Sequence, residues 1–139
     1  MQLTEIVSFK IAELLNNKIT PDEPYLKYAA EDNVEVHWSD YLGSKKYKKG
    51  ELIDDGDYVY GKYFYAPTYA EVLDYLFSEY NTFIEFRLMD SDDKYSYTII
   101  EINKEKQQII YKYTPQNICQ SFETVMETII KKIIYENEN

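Results

Sequence analysis

Residues 82–113 read TFIEFRLMDSDDKYSYTIIEINKEKQQIIYKY, and they contain three segments in which apolar and polar side chains alternate. In the first segment, 82–89, Ile84, Phe86 and Leu88 alternate with charged neighbours such as Glu85. A period of two is typical of a half-buried β-strand. Segments 95–102 and 107–113 repeat the pattern, and the polar residues 103–106 lie between them. The stretch therefore predicts an antiparallel meander of three strands.

Helical patterns flank this meander on both sides. Apolar residues recur at helical spacing over 3–17, which predicts an amphipathic helix that ends in a bend at 20–24. Thr68 and Glu71 form a capping-box pattern directly after Pro67. This pattern predicts a second helix that begins at Thr68 and ends at Asn81. Ser121 is the predicted N-cap of a third helix with a wide apolar stripe.

The middle of the chain carries weaker signals. Residues 34–38 alternate as a short strand, and residues 58–65 are aromatic and β-prone, with Gly61 predicted to mark a bulge or bend. Residues 40–57 contain three of the four glycines, a lysine cluster and an acidic cluster, which predicts an exposed loop. We expect one α+β domain over 1–139, with three helices packed on one face of a mostly antiparallel sheet of four to five strands, and a frayed tail over 136–139.

Composition narrows the classes of partner. The formal net charge of −10 argues against affinity for nucleic acid or anionic membranes, which bind cationic surfaces. The acidic charge instead favours solubility, which is the simplest explanation, or a basic protein partner, or mimicry of nucleic acid. The sixteen tyrosines have a simpler explanation in AT-rich codons, because Arg87 is the sole arginine. No apolar run reaches the roughly 20 residues that span a bilayer, and no secretory signal opens the chain, so we expect a cytoplasmic protein.

The sequence offers little catalytic chemistry. His37 and Cys119 are the only histidine and cysteine, and a pair of this type is the minimal arrangement for a thiol nucleophile. No local motif supports that pair, and the usual phosphate, dinucleotide and zinc-protease motifs are absent. The acidic run from Asp90 has Lys94 where a calcium loop needs an oxygen ligand. We expect no enzymatic activity, no cofactor and no metal site.

The tyrosines of the meander are the candidate contact surface. Tyr95 and Tyr97 share one face of their strand, and Tyr111 and Tyr113 share one face of the next, so cross-strand pairing predicts an aromatic ladder. If the ladder faces away from the helices, it forms an amphipathic patch that favours protein contacts. Tyr75 stands off the apolar stripe of the second helix and joins this candidate surface.

Residues 66–86, APTYAEVLDYLFSEYNTFIEF, resemble the central segment of small uncharacterised proteins from Bacteroidales gut bacteria, their phages and mobile elements. That family has an Ala-Pro-Thr entry, a helix with an aromatic-Leu pair and then a His or Tyr before Asn. The corresponding residues here are Tyr75-Leu76 and Tyr80-Asn81. The openings and the closing aromatic-Glu helices are also similar, at residues 8–15 and 121–125. The resemblance implies origin and fold, and it implies no activity.

These observations lead to three hypotheses of function. The first is a non-enzymatic, protein-binding module of phage or mobile-element origin, which modulates a host protein or defence system and has an unidentified protein or a second copy as partner. The alternative is an acidic mimic of nucleic acid that occupies a DNA-binding site. The third is an enzyme or metal protein that uses His37 and Cys119.

Overall fold

The computed structural model describes residues 3–38, 43–53, 58–89 and 93–136. Over these residues the chain is a mixed α+β protein with three α-helices and three antiparallel sheets. It divides into two units: one is Ile6–Thr68, and the other joins Met1–Glu5 to Tyr69–Asn139. The α+β class is as predicted, whereas the single domain over 1–139 stays a prediction.

In the unit Ile6–Thr68, helix α1 spans Phe9–Leu15. The Ser8 side chain caps it by accepting a hydrogen bond from the Ile11 N–H at 3.3 Å. The prediction that this helix begins at residue 3 is wrong, because Ile6 pairs with Thr68 and the Val7 N–H donates to the Pro67 carbonyl at 2.9 Å. These bonds hold the preceding residues extended.

In the part of this unit that the structure describes, two sheets are formed by six short strands: β1 Lys27–Ala29, β2 Val34–His37, β3 Ser44–Tyr47, β4 Leu52–Ile53, β5 Tyr58–Tyr60 and β6 Tyr63–Tyr65. The sheet orders are β4-β1-β6 and β3-β2-β5. The predicted strand at 34–38 is confirmed by β2. The exposed loop predicted over 40–57 is wrong for β3 and β4, which bury Tyr47 and Ile53. Residues 40–42 and 54–57 of that prediction lie outside the described residues.

Gly61 is the bend that its position predicts. Its φ is +125°, and a Cβ there would lie 3.1 Å from the Val34 Cγ2 atom, so only glycine fits without strain. The bend separates β5, which pairs with β2, from β6, which pairs with β1. One aromatic stretch therefore supplies strands to two sheets. Part of this unit's core is formed by Ala29, Val34, Val36, Tyr47 and Ile53.

The other unit contains the predicted meander. Its elements are α2 Tyr69–Tyr80, β7 Thr82–Leu88, β8 Lys94–Asn103, β9 Gln108–Tyr113, β10 Gln120–Ser121, α3 Phe122–Ile130 and a π-helical turn at Lys131–Tyr135. The three antiparallel strands β7, β8 and β9 confirm the prediction. Strand β8 is the central strand. It pairs with β7, with β9 and with β10.

Phe122 joins the helices of this unit to the sheet. Its ring centroid lies 4.9 Å from that of Tyr69 on α2, 5.0 Å from Phe86 on β7 and 5.5 Å from Tyr95 on β8. The predicted cap of α3 is confirmed, since the Thr124 N–H donates to the Ser121 hydroxyl at 3.3 Å. Helix α3 therefore packs on the sheet face that carries Phe86 and Tyr95.

The prediction of one sheet with all three helices on one face is not confirmed. The described strands belong to three sheets of three, four and three strands. Strands of two or three residues, such as β1, β4 and β10, are too short to show an alternating pattern. The frayed tail predicted over 136–139 lies outside the described residues from 137 onward.

Candidate functional site

The predicted tyrosine ladder does not form, because the strand register sets other partners opposite each tyrosine. On β7, Leu88 and Phe86 lie opposite Tyr95 and Tyr97. On β8, Glu101 and Ile99 lie opposite Tyr111 and Tyr113. The polar turn fixes this register by placing Asn103 opposite Gln108. The pairing of Tyr95 and Tyr97 with Tyr111 and Tyr113 was therefore a wrong prediction.

Two of these tyrosines lie against the helices. Tyr97 is only 2% exposed, and Tyr95 packs on Phe122, so both are on the α3 side of the sheet. Burial raises the pKa of the Tyr97 hydroxyl, and the nearby Tyr113 raises it further. Tyr97 therefore belongs to the core and is not available for contact with a partner.

The two tyrosines of β9 are more accessible. Tyr113 is half-buried, and the Lys132 ammonium lies 4.5 Å from its ring centroid. Tyr111 keeps 46% of its surface exposed. Of the four predicted ladder residues, Tyr111 is the one that presents the largest accessible side chain.

The side chain of Tyr75 is covered by a neighbouring residue of the same helix. Its ring meets the Tyr80 ring edge to face, with centroids 6.1 Å apart, so the last residue of α2 shields it. The side chain is half-buried.

Strand β9 is the most exposed strand of its sheet. Ile109 and Ile110 are 61% and 59% exposed. Among the described residues, β8 is the only strand that pairs with β9, so its far edge is open. Exposed apolar side chains on an open edge are unusual, because such an edge is a template for pairing with another chain.

Two hydrogen bonds between β8 and the residues that flank β7 determine which backbone groups of β9 point away from the sheet. Met89 donates to the Lys94 carbonyl at 2.8 Å, and Ile102 donates to the Asn81 carbonyl at 2.9 Å. Even-numbered residues of β8 therefore bond toward β7, and odd-numbered residues bond toward β9. Tyr111 and Tyr113 lie opposite odd-numbered residues and bond to β8, which leaves the N–H and C=O of Lys112 directed outward.

A bulge changes this alternation at Ile110. Glu101 lies opposite Tyr111, but its neighbour Ile102 lies opposite Ile109, so Ile110 is an extra residue on β9. Because Ile102 bonds toward β7, the backbone groups of Ile109 also point outward. The open edge thus presents two sets of unpaired groups, at Ile109 and Lys112.

The sheet face away from α3 carries an apolar surface, which we call the outer patch. Phe83 lies opposite Ile100, and Ile109 lies opposite Ile102, so these four side chains share one face. Phe83 and Ile109 are exposed, whereas Ile100 and Ile102 are half-buried. The outer patch ends at the open edge of β9.

A charged pocket lies on the opposite face of the same strands. It has a volume of about 340 Å³ and is lined by Thr82, Ile99, Glu101, Tyr111, Lys132, Ile133 and Glu136. The π-helical turn contributes two of these residues, and such turns frequently occur at functional sites. The size lies within the range of ligand-binding pockets.

The pocket carries more negative than positive charge. The Lys132 ammonium lies 3.8 Å from the Glu136 carboxylate and also contacts the Tyr113 ring. Among the described residues, Glu101 has no ion-pair partner. Two carboxylates and one ammonium give the pocket a formal charge of −1, and Ile99 and Ile133 provide its apolar walls.

The candidate catalytic pair is divided between the two units. His37 lies on β2 in the unit Ile6–Thr68, where its Nε2 is 2.8 Å from a Glu35 carboxylate oxygen and its ring contacts Tyr60. Cys119 is an exposed thiol in the other unit. Over the described ranges, no group of three or more His, Cys, Asp or Glu residues is placed to hold a metal ion. The enzyme hypothesis stays a hypothesis.

Comparison of the chain with protein-family models, with curated proteins and with solved structures gives no match. The resemblance at residues 66–86 therefore stays a prediction. Within the part of the chain that the structure describes, no helix is long and apolar enough to cross a bilayer.

Proposed function

We propose that this chain is a small, non-enzymatic protein-binding module of the cytoplasm, and that it binds an extended segment of a partner protein along the open edge of β9. The observation that carries this proposal is the exposure of β9 itself. Its outward backbone groups supply hydrogen bonds for an added strand, and Ile109, Ile110 and Tyr111 supply surface for its side chains.

The rest of the sheet supports the same proposal. A single added strand would extend the meander by one strand, next to the paired strands β7, β8 and β9. The outer patch and the pocket flank the edge on its two faces, so side chains of an added strand find a surface on either side. An origin in a phage or mobile element, and a role as modulator of a host protein, rest on the resemblance at residues 66–86.

A peptide library displayed on phage and selected against the immobilised protein tests this proposal. The informative variant is Lys112→Pro, which removes the outward N–H while leaving the β8 bonds of Tyr111 and Tyr113 in place. Lys112→Gln is its matched control, since it removes the same charge and keeps the N–H. Circular dichroism verifies that both variants fold.

We expect the selected peptides to bind the wild type and Lys112→Gln alike. Lys112→Pro should weaken binding about tenfold or more, the scale of one or two backbone hydrogen bonds. Equal affinity for Lys112→Pro, or a selection that yields no binding peptide, would contradict strand addition at β9.

A further inference from the structure

The pocket beside β9 indicates the chemical character of the partner strand that can bind at the open edge. Resting on the proposed function above, we infer that the partner strand is basic and that one of its lysine or arginine side chains enters the pocket lined by Glu101, Tyr111 and Glu136.

Tyr111 determines which side chain of an added strand faces the pocket. Tyr111 lines the pocket from β9, and its backbone groups bond to β8. An added strand would run about 4.8 Å beyond β9, and the residue opposite Tyr111 would share its face of the sheet. That side chain is therefore directed to the pocket.

The charges in and around the pocket favour a cation. The Lys132 charge is already engaged by Glu136 at 3.8 Å and by the Tyr113 ring, whereas Glu101 has no ion-pair partner among the described residues. The surrounding unit carries seven Lys or Arg residues and fourteen Asp or Glu residues, a formal charge of −7. A cation is attracted by both the pocket and this wider field, and an anion is repelled.

The walls of the pocket combine apolar and polar groups. Ile99 and Ile133 are apolar, while Glu101, Glu136 and the Thr82 hydroxyl are polar. A lysine or arginine side chain matches this combination, because its methylene stem packs on apolar walls and its charged head bonds to carboxylates. The Tyr111 ring offers a further contact for the cation.

The opposite face defines the neighbouring residues of the partner. On an added strand, the side chain opposite Ile109 points to the face that carries the outer patch. That surface is apolar, with Phe83 and Ile109 both exposed. The partner segment is therefore a strand in which basic and apolar residues alternate.

Two synthetic peptides test the inference by isothermal titration calorimetry against the full chain. The first alternates valine and lysine over seven residues, and the second has glutamine in place of each lysine. Glu101→Gln removes the pocket charge with little change in shape. Glu105→Gln is the matched control, because Glu105 is an exposed carboxylate in the turn between β8 and β9.

We expect the lysine peptide to bind more tightly than the glutamine peptide. Glu101→Gln should weaken the lysine peptide about tenfold, the scale of a hydrogen bond to a charged group, and leave the glutamine peptide unchanged. Glu105→Gln should change neither affinity by more than about twofold, because exposed charges interact weakly. Lys112→Pro should weaken both peptides.

Four other results would overturn the inference. If both peptides bind equally and Glu101→Gln has no effect, strand addition stands but the pocket does not select a cation. If neither peptide binds while peptides selected from the library still do, the basic alternating strand is excluded and strand addition at β9 stands. If butylamine alone saturates the pocket as tightly as the lysine peptide, the site takes small amines. If sedimentation shows a dimer that Lys112→Pro dissociates, a second copy occupies the edge.

Discussion

Strands β8 and β9 have similar sequences and opposite environments. Both combine isoleucine and tyrosine with polar residues, yet Ile99 on β8 is 4% exposed, whereas Ile110 on β9 is 59% exposed. The difference comes from position, because β8 has paired strands on both edges and helix α3 on one face. The burial of an amphipathic strand thus depends on its neighbours in the sheet. Its own sequence pattern does not determine how exposed its apolar side chains are.

The largest expected effect is the difference in stability lost when one isoleucine of each strand is truncated to alanine. Ile99→Ala should lower the free energy of unfolding by about 2–4 kcal/mol, because it leaves a cavity in the core. Ile110→Ala should change it by less than about 0.5 kcal/mol, because the side chain is already in water. Urea unfolding followed by the amide NMR signals of β7 and β8 measures both, and equal losses would contradict the comparison.

A smaller effect is expected at a buried hydroxyl of β8. Thr98 is 1% exposed, and its Oγ1 lies 2.8 Å from that of Thr114. Thr98→Val keeps the shape and leaves Thr114 without this partner, so we expect a loss of about 1 kcal/mol in the same urea assay. On β9, Tyr111→Phe removes an exposed hydroxyl and should have almost no effect. A loss at Tyr111 as large as that at Thr98 would contradict the assignment of core and edge.

The smallest effect concerns alkaline pH. Burial and Tyr113 raise the pKa of Tyr97 in the folded protein above its ordinary value of 10.0. Between the unfolded and folded pKa values the folded state binds more protons, so the stability from this group is complete below about pH 10 and is lost as pH rises further. Unfolding measured between pH 8 and 11 should show a steeper loss for wild type than for Tyr97→Phe. Parallel curves would contradict the role of Tyr97.

Much of the fold was predictable where a pattern is long. The alternation over residues 82–113 is sufficient to predict β7, β8 and β9, and Ser121 was sufficient to place the start of α3. The short strands of the unit Ile6–Thr68 were not predictable in the same way. Tyr47 and Ile53 lie in a stretch rich in glycine and charge, and their burial depends on pairing with β2 and β1.

The candidate site was predicted only in part. Tyr111 was named from the sequence, but the register that separates it from Tyr95 and Tyr97 depends on the turn before Gln108 and on the bulge at Ile110. The pocket was missed altogether. Lys132 and Ile133 continue the helical pattern of α3, and the π-helical turn that directs them to the pocket has no signature in a single sequence.

The central claim is that one edge of β9 is open, and hydrogen exchange of individual backbone amides tests it most directly. In the free protein, we expect slow exchange at Tyr111 and Tyr113, which bond to β8, and fast exchange at Ile109 and Lys112, which point outward. Strong protection of Ile109 and Lys112, equal to that of their tyrosine neighbours, would contradict the claim, because it would show that the edge is already occupied.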